Sequence, residues 1–441
     1  MTATSPERQT AEQEVVELAR DLIRIDTSNT GDTATSAGER AAAEYVAEKL
    51  SEVGIEPQIF ESERGRASLV ARIPGADRSR GGLLIHGHLD VVPAARSDWT
   101  VDPFAGEIRD GYLWGRGAVD MKDMDAMTLA LIRQWAREGR TPPRDIVLAF
   151  LADEEAGGGL GSHFMVENHP ELFEGCTEAI SEVGGFSVSL SDDLRLYLIE
   201  TAEKGLGWMR LKASARAGHG SMVHDDNAVT ALSEAVARIG RHQFPVELTN
   251  TVRRFLADVS DALGTEFDPD DPETTIAKLG GIARMIGSTI RNTANPTMLD
   301  AGYKVNVIPA SAAATVDGRF LPGQEEAFTH QIDALLGPDV EREWIVHQPA
   351  LETGFDGPLV DAMADALRAE DPGARPVPYM FSGGTDGKAF ARLGIRGFGF
   401  SPLRLPPDLD FAALFHGVDE RVPVDALRFG VRVLDRFLSR C

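Results

Sequence analysis

Apolar residues recur along this chain with two periods, and the period names the element. Val15, Leu18, Leu22 and Ile25 fall three and four apart, which predicts a helix through residues 11–25. ASLVARI (67–73), GLLIHGHL (82–89) and DIVLAFLA (145–152) predict strands. The last two are almost continuously apolar, as strands buried on both faces are. Between them the pattern predicts a helix over 124–139, and Leu427, Val431, Leu434 and Leu438 define a final amphipathic helix. Buried strands alternating with helices make an α/β sheet domain.

Near residue 205 the pattern changes. MRLKASA (209–215) alternates apolar and polar positions, as a half-exposed strand does. A helix (227–240), a strand (312–320), a second helix (325–337) and a strand (340–346) complete a small sheet covered by helices on one face. A chain of 441 residues exceeds the usual single core, so two domains are expected.

Composition narrows the function classes. Hydrophobic content of 43% and charged content of 26% mark a globular protein. A formal charge of -25 argues against nucleic acid as a partner, because phosphate binding depends on Lys and Arg. The opening MTATSPERQTAEQEV lacks a basic start followed by an apolar stretch, and no apolar run approaches the roughly 20 residues that span a bilayer. No membrane partner is therefore expected. Cys176 and Cys441 lack the spacing of a zinc or redox motif, so a cytoplasmic enzyme without disulfides is the simplest expectation. Acidic stretches such as EFDPDDPE (266–273) read as solvated loops.

Five short motifs place an imidazole or carboxylate just after an apolar run: HGHLDVVP (86–93), LWGRGAVDMKD (113–123), FLADEEAGG (150–158), ISEVGG (180–185) and LFHGVDE (414–420). Together His88, Asp120, Glu155, Glu182 and His416 supply two imidazoles and three carboxylates. A hydrolytic two-metal site needs that inventory, with one shared ligand holding the ions about 3.5 to 4 Å apart. Imidazole and carboxylate without thiolate suit Zn²⁺ first, with Mn²⁺ and Co²⁺ as alternatives. Asp90, two residues past His88 on the same side of an extended segment, can orient an imidazole ligand. The bland alternatives are a turn residue before Pro93 for Asp90 and a solvated loop start for Glu154 and Glu155. His86 reads as structural. In open α/β sheets such sites gather beyond the carboxyl ends of strands, where His88 and the Glu154–Glu155 pair both fall.

In combination and order these motifs resemble the M20 metallopeptidase family of aminoacylases, deacetylases, desuccinylases, carboxypeptidases and dipeptidases, over nearly the whole chain. The resemblance implies a mixed-sheet zinc-hydrolase catalytic domain in two parts, residues 1–204 and 351–441, around an inserted α+β, ferredoxin-like lid or dimerisation domain at 205–350. It implies that His88 and Glu182 hold one metal, Glu155 and His416 the other, and that Asp120 bridges them. Glu154 would be the general base that takes a proton from water and returns it to the leaving amine, a role consistent with a carboxylate beside acidified water. Asp123 stands where many relatives have Gly.

The same resemblance gives the lid its residues. His219 in AGHGSM would reach the active site of a partner subunit in a homodimer and stabilise the oxyanion. Asn306 and Arg319 would hold a substrate carboxylate, for which a guanidinium is geometrically suited. Gly383, Gly384 and Thr385 lie in SGGTDGKAF (382–390), which resembles the family's substrate loop. Bare alternatives are a turn histidine, a strand-end cap and a surface ion-pair residue. The expected reaction is hydrolysis of an N-acyl-L-amino acid, a small substrate with a free carboxylate. Two dications against Asp120, Glu155 and Glu182 leave a centre near +1 that suits such an anion. A dipeptide is the second choice. A noncatalytic binding module would have no reason to keep Glu154 beside a full ligand set, and an ATP-dependent ligase would need a phosphate loop of the G-x-x-x-x-G-K-[ST] type, which is absent.

Overall fold

The computed structural model describes residues 9–191 and 193–441, with the side chains of 280–282 left aside. The first eight residues of the opening segment lie outside the described residues. The chain divides into two compact units. The first comprises Met1–Thr201, Thr353–Tyr379 and Thr385–Cys441; the second comprises Ala202–Glu352 and Met380–Gly384. The short return at 380–384 left no trace in the sequence pattern.

In the first unit the principal sheet runs in the order Gln58–Glu63, Arg66–Ile73, Ile146–Leu151, Gly82–His88, Cys176–Ser181, Arg396–Gly399, Arg195–Glu203. Its centre is parallel: Gly82–His88 pairs in parallel with Ile146–Leu151 on one side and Cys176–Ser181 on the other, and Arg396–Gly399 continues beyond. The outer pairings of Arg66–Ile73 are antiparallel, so the sheet is mixed. Every residue of Gly82–His88 and Ile146–Leu151 is buried, as continuous apolar runs require.

Helices Ala11–Arg24, Lys122–Glu138 and Val424–Leu438 pack on one another. The middle helix starts two residues earlier than its apolar pattern suggested. Lys122 is buried because its ammonium donates to the carbonyls of Leu22 and Ile25, satisfying the end of the first helix. Gly139 closes the same helix in the left-handed conformation at φ 69 rather than extending it.

The second unit holds a four-stranded antiparallel sheet in the order Thr293–Ala301, Ser311–Phe320, Gly205–Ser214, Val340–Gln348. Its apolar face meets helices Ala228–Arg241 and Glu325–Leu336 in one core that includes Met209, Leu232, Val316, Phe328 and Ile332. Asn227 is the cap of the first of these helices, its side chain accepting the Val229 and Thr230 N–H groups, and not its first residue. The acidic stretch at 266–273 is a loop only to Asp271; Pro272–Ile276 is a short helix with Asp271 as its cap.

Candidate metal centre

Three adjacent parallel strands deliver the first four acidic and imidazole groups. Gly82–His88 ends on His88, Ile146–Leu151 is followed by Glu154 and Glu155, and Cys176–Ser181 by Glu182. Parallel pairing places those ends side by side. Asp120 comes from the loop that enters helix Lys122–Glu138, and His416 from the loop after Phe411–Ala413, in left-handed backbone at φ 57.

His88 Nε2 lies 3.1 Å from Asp120 Oδ1 and 3.5 Å from Glu182 Oε2. His416 Nε2 lies 3.3 Å from the other oxygen of the same aspartate, Oδ2, and 3.0 Å from Glu155 Oε2. The five residues singled out from the motifs are thus in one place, with Asp120 in the middle and one oxygen turned to each imidazole. Among the described residues, two groups have ligand atoms within 4.8 Å of one another: His88, Asp120 and Glu155, and His88, Glu154 and Glu182. Glu154, expected as a base, therefore lies within ligand range of the first imidazole, its Oε2 3.9 Å from His88 Nε2.

The residues fit a bound cation on three counts. Glu155 Oε1 is buried with no hydrogen-bond partner, which is costly unless something positive meets it. The Nδ1 of His88 faces the backbone carbonyl of Asp90 at 3.0 Å, an acceptor only, which directs the Nδ1 N–H there and leaves Nε2, turned toward the Asp120 carboxylate, as the nitrogen that would meet a cation. The charge balance agrees. Burial, opposed by His88, pushes the Glu182 carboxyl up to about 8. Burial and then the charge of Glu182 raise Glu154 well above its ordinary value. Burial and then Asp120 raise Glu155. Hydrogen bonds to Asp120 and Glu155 raise His416 to about 10. Carboxylates so crowded are held ionised by added positive charge.

Asp90 faces both the imidazole and the glutamate turn. Its backbone carbonyl lies 3.0 Å and its Oδ1 3.5 Å from His88 Nδ1. Its carboxylate also accepts the backbone N–H of Glu154 on Oδ1 and of Glu155 on Oδ2, both at 3.1 Å. Asp90 is completely buried and binds the turn that carries the two glutamates. His86 is buried against the Phe390 ring at 4.8 Å, with burial lowering its pKa to about 3, as a structural residue would be. Asp123 is buried too, and burial raises its carboxyl to about 8.

In the second unit, His219 and Asn306 are brought together. The two-residue ladder of Gly218–His219 with Val307–Ile308 pairs His219 with Val307, and the Gly220 N–H donates to the Asn306 carbonyl at 2.9 Å. His219 is exposed, its Nδ1 2.8 Å from Ser221 Oγ. Arg319 has a carboxylate of its own: Nε and Nη2 donate to the two oxygens of Asp317 at 2.6 and 3.1 Å. Ser382 and Gly383 form a bend after strand Ala374–Phe381, and Gly384 follows it. A Cβ at Gly383 would stand 2.5 Å from the Phe381 ring, so glycine there answers a contact within the chain itself. Thr385 Oγ1 accepts the Gly387 N–H at 3.1 Å and opens helix Gly387–Ala391.

Three contributors escaped the sequence reading. Asn29 and Glu420 act through long-range hydrogen bonds described below. Asp386, beside Thr385, is buried, and burial lifts its carboxyl to about 7. Only LFHGVDE, with an acidic residue four past His416, carried a hint of one of them.

A mixed sheet whose parallel centre presents an imidazole and carboxylates at three adjacent strand ends, with candidate metal-holding groups among them, defines a hydrolase of the α/β metallopeptidase class. The chain belongs to Peptidase family M20/M25/M40, whose sequence model matches residues 84–440, and is a hydrolase of carbon–nitrogen amide bonds. Aminoacylase-1 of Sus scrofa is 27% identical over 417 residues, spanning 90% of this chain and 89% of the relative. An M20 family metallo-carboxypeptidase from Sulfolobus solfataricus shares the fold with a TM-score of 0.74 at 19% identity, covering 97% of this chain and 99% of the other. A dinuclear metal binding peptidase of the M20 family from Bacillus subtilis does so with a TM-score of 0.61 at 13% identity, covering 97% and 98%. Among the described residues no helix is long and apolar enough to cross a membrane.

Proposed function

We propose that the protein hydrolyses the amide bond of N-acyl-L-amino acids at a two-metal centre. The observation that carries the reading is Asp120, with Oδ1 toward His88 and Oδ2 toward His416. A carboxylate with one oxygen for each of two imidazole-bearing positions is the shared ligand such a centre needs. His88 and Glu182 would complete one position, Glu155 and His416 the other, with zinc the first choice and cobalt or manganese the alternatives. When bound, the two dications acidify water and polarise the scissile carbonyl. Glu154 takes the proton of the attacking water on its carboxylate and hands it to the departing amine nitrogen. Asp90 holds the turn from which Glu154 projects.

The substrate half of the proposal draws on likeness to aminoacylase-1 along most of both chains. Asn306 and Arg319 hold the free carboxylate of the amino acid, Arg319 exchanging part of its pairing with Asp317 for the substrate. Gly383, Gly384 and Thr385 border the substrate, and His219 supplies the oxyanion with a donor across a homodimer. A carboxypeptidase or dipeptidase activity is the second reading, favoured by the carboxypeptidase among the structural neighbours. Turnover of a panel of N-acyl amino acids and dipeptides by zinc-reconstituted protein separates the two. Faster hydrolysis of dipeptides across the panel would overturn the first.

A further inference from the structure

A single buried amide joins the two carboxylates that flank the Glu154 turn. The Nδ2 of Asn29 donates to Asp90 Oδ2 at 2.8 Å and to Asp153 Oδ1 at 3.0 Å. Its Oδ1 accepts from Arg66 Nη2 at 2.7 Å and from the Gly31 N–H at 3.0 Å. These partners fix which end of the amide is which, because carboxylates need donors and a guanidinium needs an acceptor. Asn29 is 4% exposed, Asp153 5% and Asp90 not at all. The backbone is tied down as well, since Asn29 N–H donates to the Val91 carbonyl at 2.8 Å.

Each of the two carboxylates governs one side of the turn. Asp90 receives the N–H groups of Glu154 and Glu155. Asp153 immediately precedes Glu154 in left-handed backbone at φ 69, a conformation that sets the direction in which the next residue leaves. Its second oxygen accepts the Leu160 N–H at 2.9 Å, closing the loop from the far side. Two acidic groups buried this close need one donor each, and the two N–H bonds of one amide provide them without adding charge. Serine has one donor and aspartate none when ionised. Arg66, held in turn by Glu39 at 2.5 Å, keeps the amide from rotating.

We propose that Asn29 is a positioning residue for Glu154: by bonding Asp90 and Asp153 together it fixes the backbone from which the proton-carrying carboxylate projects. This rests on the reading of Glu154 as the general base. The consequence is specific. Weakening Asn29 would misplace the base while leaving the ligand atoms of His88, Asp120 and His416, which sit on other segments, in position; Glu155 shares the turn, so zinc content is measured beside kcat.

The test uses full-length zinc-reconstituted protein and the best substrate of the panel, with Asn29→Asp, Asn29→Ser and Glu154→Gln side by side. Asn29→Asp keeps the shape and the acceptor for Arg66 but removes the donor pair; Asn29→Ser keeps one donor. The expected result is a kcat lower by about 10- to 100-fold for Asn29→Asp and a smaller loss for Asn29→Ser, with KM within about twofold and two zinc ions per chain retained. Hydrogen exchange in a peptide covering 150–158 should quicken in the metal-free variants, and the visible spectrum of the cobalt-loaded variants should match wild type. A kcat equal to wild type in either folded variant overturns the proposal. So does a loss that follows zinc content or KM instead of kcat. If Asn29→Asp fails to fold, Asn29→Ser decides by the same criteria. A fully active Glu154→Gln would sink the general-base reading itself, whereas an inactive Glu154→Gln beside unchanged Asn29 variants would sink only the role of Asn29.

Discussion

The carboxylate of Glu420 accepts the backbone N–H of Asp120 at 3.2 Å, across 300 residues of sequence. The same oxygen takes the Val119 N–H at 2.7 Å, and the other takes the Gly117 N–H at 3.1 Å and Arg116 Nη1 at 2.7 Å. Arg116 in turn donates to the Gly417 carbonyl at 3.0 Å. Strand Arg421–Pro423 pairs with Tyr112–Trp114 just beyond, so the loops bearing Asp120 and His416 are bolted together. Glu420 is completely buried. Glu420→Gln would turn an NH₂ group toward backbone donors and leave at least one of them without an acceptor. The expected outcome is a loss of about 10- to 100-fold in zinc affinity in a chelator competition, with circular dichroism unchanged. Wild-type affinity would show that the bolt is dispensable to the centre.

Metal removal is the broadest check. Chelator-treated protein should lose its amidase activity, and Zn²⁺, Mn²⁺ or Co²⁺ should restore it, because the clustered carboxylates and imidazoles have no other evident chemistry among the described residues. Full turnover by protein shown to be metal-free by elemental analysis would end the two-metal reading.

The adjacent glutamates should separate cleanly. Glu155 Oε2 lies 3.0 Å from His416 Nε2 while its Oε1 has no partner, the environment of a ligand. Glu154→Gln should keep both metals and lose about 10²- to 10⁴-fold in kcat, the usual worth of general acid–base catalysis. Glu155→Ala should lose metal occupancy as well. Since Glu154 Oε2 stands 3.9 Å from His88 Nε2, metal analysis could return the opposite assignment, and that result would exchange the two roles.

How much was legible beforehand depended on how each residue acts. Gly82–His88 and Ile146–Leu151 announced themselves because a buried strand is an unbroken apolar run, and its abrupt end in His or in paired Glu marks the strand terminus where a site can form. The edge strand Thr293–Ala301 was invisible for the opposite reason. It carries Pro296, and its Met298 and Leu299 are both exposed, so no alternation survives to signal a sheet face. Helix Asn250–Ala262 also went unassigned, although Val252, Phe255, Leu256 and Val259 bury one helical stripe. Asn29 and Glu420 could not be found from spacing, since each works through backbone N–H groups or carboxylates that only folding brings near. The carboxylate of Asp90 could be assigned to the imidazole because the two are neighbours in sequence; its further partners, the N–H groups of Glu154 and Glu155, lie more than sixty residues away and left no signal.

His219 offers the test that reaches beyond one chain. It stands on the short ladder with Val307, exposed, its Nδ1 2.8 Å from Ser221 Oγ, and the proposed function has it serve the active site of a partner subunit. If each site takes Glu154 from one chain and His219 from the other, a heterodimer of His219→Ala with Glu154→Gln contains one intact site and one doubly defective site. Activity should then reappear when the two inactive variants are coexpressed. Random pairing of equal amounts puts about half the chains in heterodimers with half of their sites intact, so recovery should approach about a quarter of wild type for an isologous dimer. If His219 serves its own chain instead, every heterodimer site carries one defect. Purified heterodimers, verified by two different affinity tags and as inactive as either parent, would reject the action across subunits and leave the metal chemistry standing.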